Sequence, residues 1–346
     1  MKQHSQRGVV LIMVLWTAIV LTVLVTVLAA NIRLSANTAL HHRTGTLAHA
    51  QLMGAVRKAE MELMMESMPV PLGVLDNIDD DELQRIPAFR FNGQALSLHY
   101  AADENVRIRI YDHAGKINLN RIDRSRLQQV IEKQLGGEDA DPRQVQELLA
   151  AWSDWTDLND VPDSLGAEDE TYLELDPPYT TRNNAELDSV EELRLIRGFD
   201  ELFGDLNLEA AFTIYGNSSA VNPNLATREA LMLLPGMTLE AVEAIFALRE
   251  QRDIQTINEL GEWIPVEVMV EISPWLGLNT SSFYSIYAYT GDDNDDGDDP
   301  ATQAFMQVIE VRSFSTLPRV YMVHPYAQLP DYSPSGVDIG LLPPLT

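Results

Sequence analysis

Residues 9–30 read VVLIMVLWTAIVLTVLVTVLAA, a run of 22 residues without a charge. Wound as a helix at 1.5 Å per residue it spans about 33 Å, close to the roughly 30 Å hydrocarbon core of a bilayer. A soluble core can bury such a stretch, but at an N-terminus a membrane segment is the better reading. Lys2 and Arg7 precede the run and Arg33 follows it. Two positive charges on the short leading side place the first residues in the cytoplasm and the bulk of the chain outside. A secretory signal peptide is the alternative; it has a shorter apolar region and a small-residue cleavage site, for which Ala29 and Ala30 are the candidates.

Outward from this run the helical character continues to residue 68, interrupted only by Gly45 and Gly54, until Pro69 and Pro71 stop it. The product is a spine apolar in its first half and amphipathic in its second. Strand-like stretches follow at residues 95–100 (ALSLHY) and 105–111 (NVRIRIY), the latter with Val106, Ile108 and Ile110 on one face. Residues 283–289, 304–314 and 319–324 alternate in the same way. Between the two β blocks, residues 120–275 carry short helical segments rich in Leu and Glu. Two strands ahead of the helices are marginal on their own. The order therefore predicts an α+β fold: a helix over 9–68, an antiparallel sheet from 69–116 and 280–346, and an α-helical insert over 117–279.

The charge balance narrows the function. The 346 residues hold 24 Lys plus Arg against 52 Asp plus Glu, a formal net charge of −28. Nucleic acid and anionic lipid headgroups bind clustered Lys and Arg, so neither is an expected partner. With no cysteine there is no disulfide framework, thiol nucleophile or Cys-ligated metal. No His-Glu-x-x-His, Gly-x-Ser-x-Gly, phosphate loop or dinucleotide fingerprint occurs, and no catalytic residue is assigned.

The insert contains a weak internal repeat. Asn118-Leu119-Asn120 followed by Arg124 and Leu127 matches Asn222-Pro223-Asn224 followed by Arg228 and Leu231, each an Asn-x-Asn turn leading into a helix. Leu234-Pro235-Gly236-Met237 then joins the helical stretches 228–233 and 239–251 in the manner of a helix-hairpin-helix. Such a hairpin either binds phosphate at a helix N-terminus or serves packing. Glu240 and Glu243 on the following turns favour packing. The competing function is a membrane-anchored DNA-binding protein of a competence type.

Residues 151–205 hold 16 Asp plus Glu against Arg182, Arg194 and Arg197. Carboxylate and amide oxygens this closely spaced suit a hard cation, and calcium takes six to eight oxygens; solubility alone is the other explanation. A second acidic run, residues 292–299, has the first half of an EF-hand loop but places Gln303 where a bidentate Glu belongs.

The leader Gln6-Arg7-Gly8-Val9-Val10-Leu11-Ile12 resembles the processing site of type IV pilins and type II secretion pseudopilins. That resemblance implies cleavage by prepilin peptidase after Gly8, loss of residues 1–8, and a mature chain that begins at Val9, where such subunits are methylated. Most pilin-like subunits carry Glu at the fifth mature position; here it is Met13. The departure resembles the minor pseudopilin K family of the general secretion pathway. So do Asp154-Trp155-Thr156-Asp157-Leu158-Asn159-Asp160-Val161-Pro162, Gly166-Ala167-Glu168-Asp169-Glu170-Thr171-Tyr172, Asp176-Pro177-Pro178-Tyr179 and residues 189–198 (SVEELRLIRG). The resemblance implies a non-enzymatic subunit anchored in the inner membrane with its bulk in the periplasm. It implies assembly with minor pseudopilins I and J at a pseudopilus tip, contact with the secretin or exported cargo, and bound calcium. With the oxygen chemistry it points to Asp157, Asp160, Glu168 and Asp169 as ligands, and to Asn159.

Overall fold

The computed structural model describes residues 7–66, 91–96, 106–181, 184–290, 303–313 and 316–331. The chain forms two compact units, Met1–Met53 and Gly54–Thr346. Helix α1 (Arg7–Glu66) runs unbroken for 60 residues. Its apolar stretch contains a window that is long and apolar enough to cross a membrane and is wholly unburied by the rest of the protein. Thr17, Thr22 and Thr26 donate their hydroxyls back to carbonyls three or four residues earlier, which satisfies them without water.

Within the second unit, β1 (Asn92–Ala95), β2 (Val106–Asp112), β5 (Phe283–Thr290), β6 (Gln303–Glu310) and β7 (Arg319–Gln328) form one antiparallel sheet in the order β1-β2-β5-β6-β7. Because β2 and β5 are direct neighbours, the chain between them is an insertion into a single hairpin. Successive residues alternate between faces. Val106, Ile108, Ile110, Ile286, Ala288 and Ile309 share one face and are buried. Gln307 on that face donates to Glu60, which seats the last turns of α1 there through Ala55, Val56, Ala59 and Leu63. The other face buries Tyr111, Tyr287, Tyr289, Met306 and Val308.

Three strand expectations move; the strand expected over 304–314 ends at Glu310. The first strand is Asn92–Ala95 rather than 95–100, and residues 97–105 lie outside the described residues. The last strand continues through Pro325 to Gln328 instead of stopping at His324. Strand β7 is the sheet edge, where a residue without an N–H breaks no ladder, and the pairing shifts register between Ala304 and Met306 opposite this point. Helix α1 is described to Glu66; residues 67–90, the acidic run 292–299 and residues beyond Asp331 lie outside the described residues.

The insertion holds two short parallel strands at its root, β3 (Ile117–Asn118) and β4 (Phe212–Thr213), and the helices α2 (Arg124–Gln134), α3 (Pro142–Thr156), α4 (Asp169–Leu173), α5 (Phe199–Phe203), α6 (Leu208–Ala211), α7 (Arg228–Met232), α8 (Leu239–Gln251) and α9 (Val266–Ile272). One apolar core built around Val130, Leu149, Phe199, Leu231, Ile245 and Trp275 unites them. The sequence repeat is expressed twice with the same geometry. Asn118 accepts from the N–H of Asn120, as Asn222 does from that of Asn224. Asn120 exchanges two hydrogen bonds with the backbone of Leu187, as Asn224 does with Ile254. Asp123 and Thr227 cap the helices that follow. The copies differ most in one place. Only Arg252 and Asp253 separate α8 from Ile254, whereas residues 157–186 separate α3 from Leu187. The acid-rich stretch is an elaboration of the first copy.

Candidate functional site

That elaboration leaves the C-terminal end of α3, where the helix supplies both the anchor and the first carboxylates. Trp155 packs edge-on to Tyr172, ring centroids 5.2 Å apart, and Tyr172 stacks on Tyr179 at 5.2 Å. The Tyr172 hydroxyl accepts from the N–H of Arg197, and Tyr179 donates to Leu195 O, so the loop is clamped to the helical core at its middle and its return.

Asp154 and Asp157 lie three residues apart at the end of α3 and therefore on one side of the helix. The start of α4 brings Glu168 to them. One oxygen from each of Asp154, Asp157 and Glu168 lies within 4.8 Å of the other two. Asp154 is 1% exposed and Glu168 4%. The Asp154 carboxylate accepts from the N–H of Asp163 at 3.1 and 3.3 Å. Glu168 Oε2 accepts only a long bond from the Thr181 hydroxyl, 3.4 Å, and Oε1 is buried with no hydrogen-bond partner among the described residues. Burial, then the neighbouring charges of Asp154, Asp157 and Asp160, push the Glu168 carboxyl up to about 7. Burial also raises Asp154, with Asp163 and Asp157 adding to the shift. Gly166 closes the floor: a Cβ there lies 1.8 Å from Asp154 Oδ2, so only glycine allows the carboxylate its place.

Of the residues expected from sequence, Asp157 and Glu168 meet. Asn159 does not join them through its amide; its N–H and Nδ2 both donate to Asp157, at 2.9 and 2.8 Å, and orient that carboxylate. Asp160 is exposed on the outer turn. Asp169 is turned away and accepts from both the N–H and the hydroxyl of Thr181, at 2.7 and 2.6 Å. Asp154 was not among the expected ligands, although its spacing of three from Asp157 at a helix end was visible in the sequence. A hard cation fits this donor set: three convergent carboxylates, two buried, one with an oxygen that no protein donor satisfies.

Met13 is 65% exposed on α1, and Gly8 and Val9 lie within the helix. The hairpin at residues 234–237 is tied into its own packing. Met237 donates its N–H to Leu234 O, Thr238 caps the N–H of Ala241, and Lys133 Nζ donates to Met237 O. The Glu271 carboxylate packs so closely on Gly236 that a Cβ there lies 2.3 Å from Oε2. An anion approaching Gly236 would meet the Glu271 carboxylate, which argues for packing and against the DNA-binding alternative.

Among the described residues the chain combines one apolar N-terminal helix with a small antiparallel sheet interrupted by a large helical insertion. The model of the type II secretion system protein K family matches residues 115–203. Over 306 residues, 82% of this chain and 88% of the relative, the chain is 24% identical to the type II secretion system protein K of Klebsiella pneumoniae. Its fold is similar to that of a chain in the crystal structure of the GspK–GspI–GspJ complex from the enterotoxigenic Escherichia coli type II secretion system, with a TM-score of 0.51 and 14% identity over 82% of this chain and 98% of that one. The chain is thus similar to protein K of type II secretion, in its residues 115–203 by family model and over most of its length by relative.

Proposed function

We propose that this subunit stands at the tip of the pseudopilus, where it initiates or caps the fibre. The observation that carries the reading is the helical insertion between β2 and β5, a bulk that a repeating interior subunit would have to accommodate. Helix α1 supports it. Its first acidic residue is Glu60, so nothing in the apolar segment neutralises the N-terminal amine of a neighbouring subunit, and Met13 stands where that charge belongs. A subunit that cannot receive its neighbour's amine belongs at an end of the fibre. The relative of similar fold was crystallised with GspI and GspJ, which supports minor pseudopilins I and J as partners here. In this reading the bulk lies in the periplasm, prepilin peptidase cleaves between Gly8 and Val9, the secretin or cargo is met by the insert, and no catalysis is involved.

The same reading assigns calcium to Asp154, Asp157 and Glu168. The ion would supply the positive charge that lets an acid-rich loop fold against the insert. Co-expression with tagged I and J in a membrane host tests the tip assignment. A ternary complex whose formation survives Met13→Leu but fails when the insert is deleted is expected; homopolymeric fibres of this chain alone contradict it.

A further inference from the structure

Between the insert root and the sheet lies a cavity of about 590 Å³, within the roughly 300–1,000 Å³ typical of small-ligand sites. Two loops face each other across it, residues 215–220 (YGNSSA) and 279–283 (NTSSF). In a chain with 52 acidic residues, no Asp, Glu, Lys or Arg among the described residues lines this cavity. His113, at its base, bridges Thr213 and Ser285 through its two ring nitrogens at 2.7 and 2.8 Å, and burial holds it neutral.

The wall has two kinds of surface. Tyr215 and Phe283, both half-buried, stack on each other at 5.3 Å with Tyr321 edge-on to both, and the ring surface they leave on the wall makes an aromatic panel. Opposite chemistry comes from the amide and hydroxyl side chains of Asn217, Asn279, Thr280 and Ser282, none of which makes a hydrogen bond among the described residues. Other polar groups nearby are committed to the fold: Ser218 to Ala220, Ser219 to Arg126, Ser281 to Phe283. Amides and hydroxyls both donate and accept. A ligand that uses them all must itself alternate donors and acceptors, carry no charge, and offer an apolar face to the aromatic panel. A peptide backbone is a poorer match, because β5 is paired on both sides and offers no free strand edge.

We propose that this cavity is a binding site for a neutral saccharide. Sugar hydroxyls donate and accept in the way the four free side chains do, and the C–H face of a pyranose ring lies against an aromatic panel. An acetamido sugar adds an N–H and a C=O that pair with a side-chain amide; a plain hexose does not. The two sources are therefore separable by probe.

The test uses the full chain in a detergent without a sugar headgroup, with saturation-transfer NMR read on the ligand protons. Chitotriose and maltotriose are the two neutral probes, and 3′-sialyllactose is the anionic comparison. Saturation transfer to one or both neutral sugars, weakened about tenfold in Asn217→Ala/Thr280→Ala, is expected. Transfer to chitotriose alone identifies an acetamido glycan as the source, and transfer to maltotriose alone identifies a plain hexose chain. Both substituted side chains are exposed, so the variant's thermal unfolding should match that of the parent and an effect on binding reads the site. No transfer to either neutral sugar, preference for the anionic one, or binding unchanged in the variant overturns the proposal.

Discussion

Replacing Glu168 with Gln separates a cation site from a merely acidic loop, because the two predict opposite outcomes. Oxygens of Asp154, Asp157 and Glu168 lie within 4.8 Å of one another. Two full charges at that distance repel by about 3.5 kcal/mol at an effective dielectric constant of 20. The titration leads to a similar size. Glu168 is held at about 7 instead of its ordinary 4.5, worth about 3 kcal/mol at 1.36 kcal/mol per pH unit. The folded state binds this proton more tightly than the unfolded one. Its penalty is therefore absent below the unfolded value and complete once the pH is above about 7. At pH 8 with a chelator, Glu168→Gln should raise the melting temperature by several degrees, since 1 kcal/mol is worth about 2–4 °C in a body of this size. Calcium at about a hundred times its Kd should stabilise the parent by about 2.7 kcal/mol and the variant hardly at all. Thermal unfolding of the full chain in chelator and in excess calcium reads both numbers. A variant that melts lower in chelator and keeps the parental response to calcium refutes the reasoning: Glu168 would then be a packing residue.

Gly166→Ala should abolish the calcium response without removing a carboxylate, because its Cβ displaces Asp154; isothermal titration checks this. Asp112, at the joint of sheet and insert, is pushed up to about 7 by burial while accepting from the N–H groups of Ala114 and Ser281. Its raised value means stability is lost as pH rises from about 4 to about 7, so Asp112→Asn should flatten chemical-denaturation stability across that window by up to one proton's slope, about 1.4 kcal/mol per pH unit. Arg228 and Glu243 form a buried ion pair beside the Phe246 ring. Arg228 keeps Asp331 at 3.7 Å as a second carboxylate, so Glu243→Ala should cost about 1–3 kcal/mol in the same assay.

The parts of the fold that follow one rule each were legible. An uncharged run of bilayer length gives α1, and alternating Val106, Ile108 and Ile110 give β2, within one residue of its observed bounds. What pairing decides was not legible. Strand β1 is set by its antiparallel register on β2, with Asn92 opposite Tyr111, rather than by its own alternation. Strand β7 passes Pro325 only because it is an edge. At the acidic loop, the fold brings Asp157 and Glu168 of the expected residues together with Asp154. Asn159 and Asp169 spend their side chains on local hydrogen bonds that nothing in their spacing reveals. The repeat of Asn-x-Asn turns was visible as a pattern, but its purpose, two equivalent clamps on Leu187 and Ile254, needed the tertiary fold.

The central claim is that this chain is processed and assembled as a pseudopilin, and intact-mass spectrometry of the membrane-expressed protein, with and without prepilin peptidase, tests it most directly. The account predicts peptidase-dependent loss of residues 1–8, leaving Val9 at the new N-terminus with or without a methyl group. A mass unchanged by the peptidase, or a cut near Ala30, would contradict it.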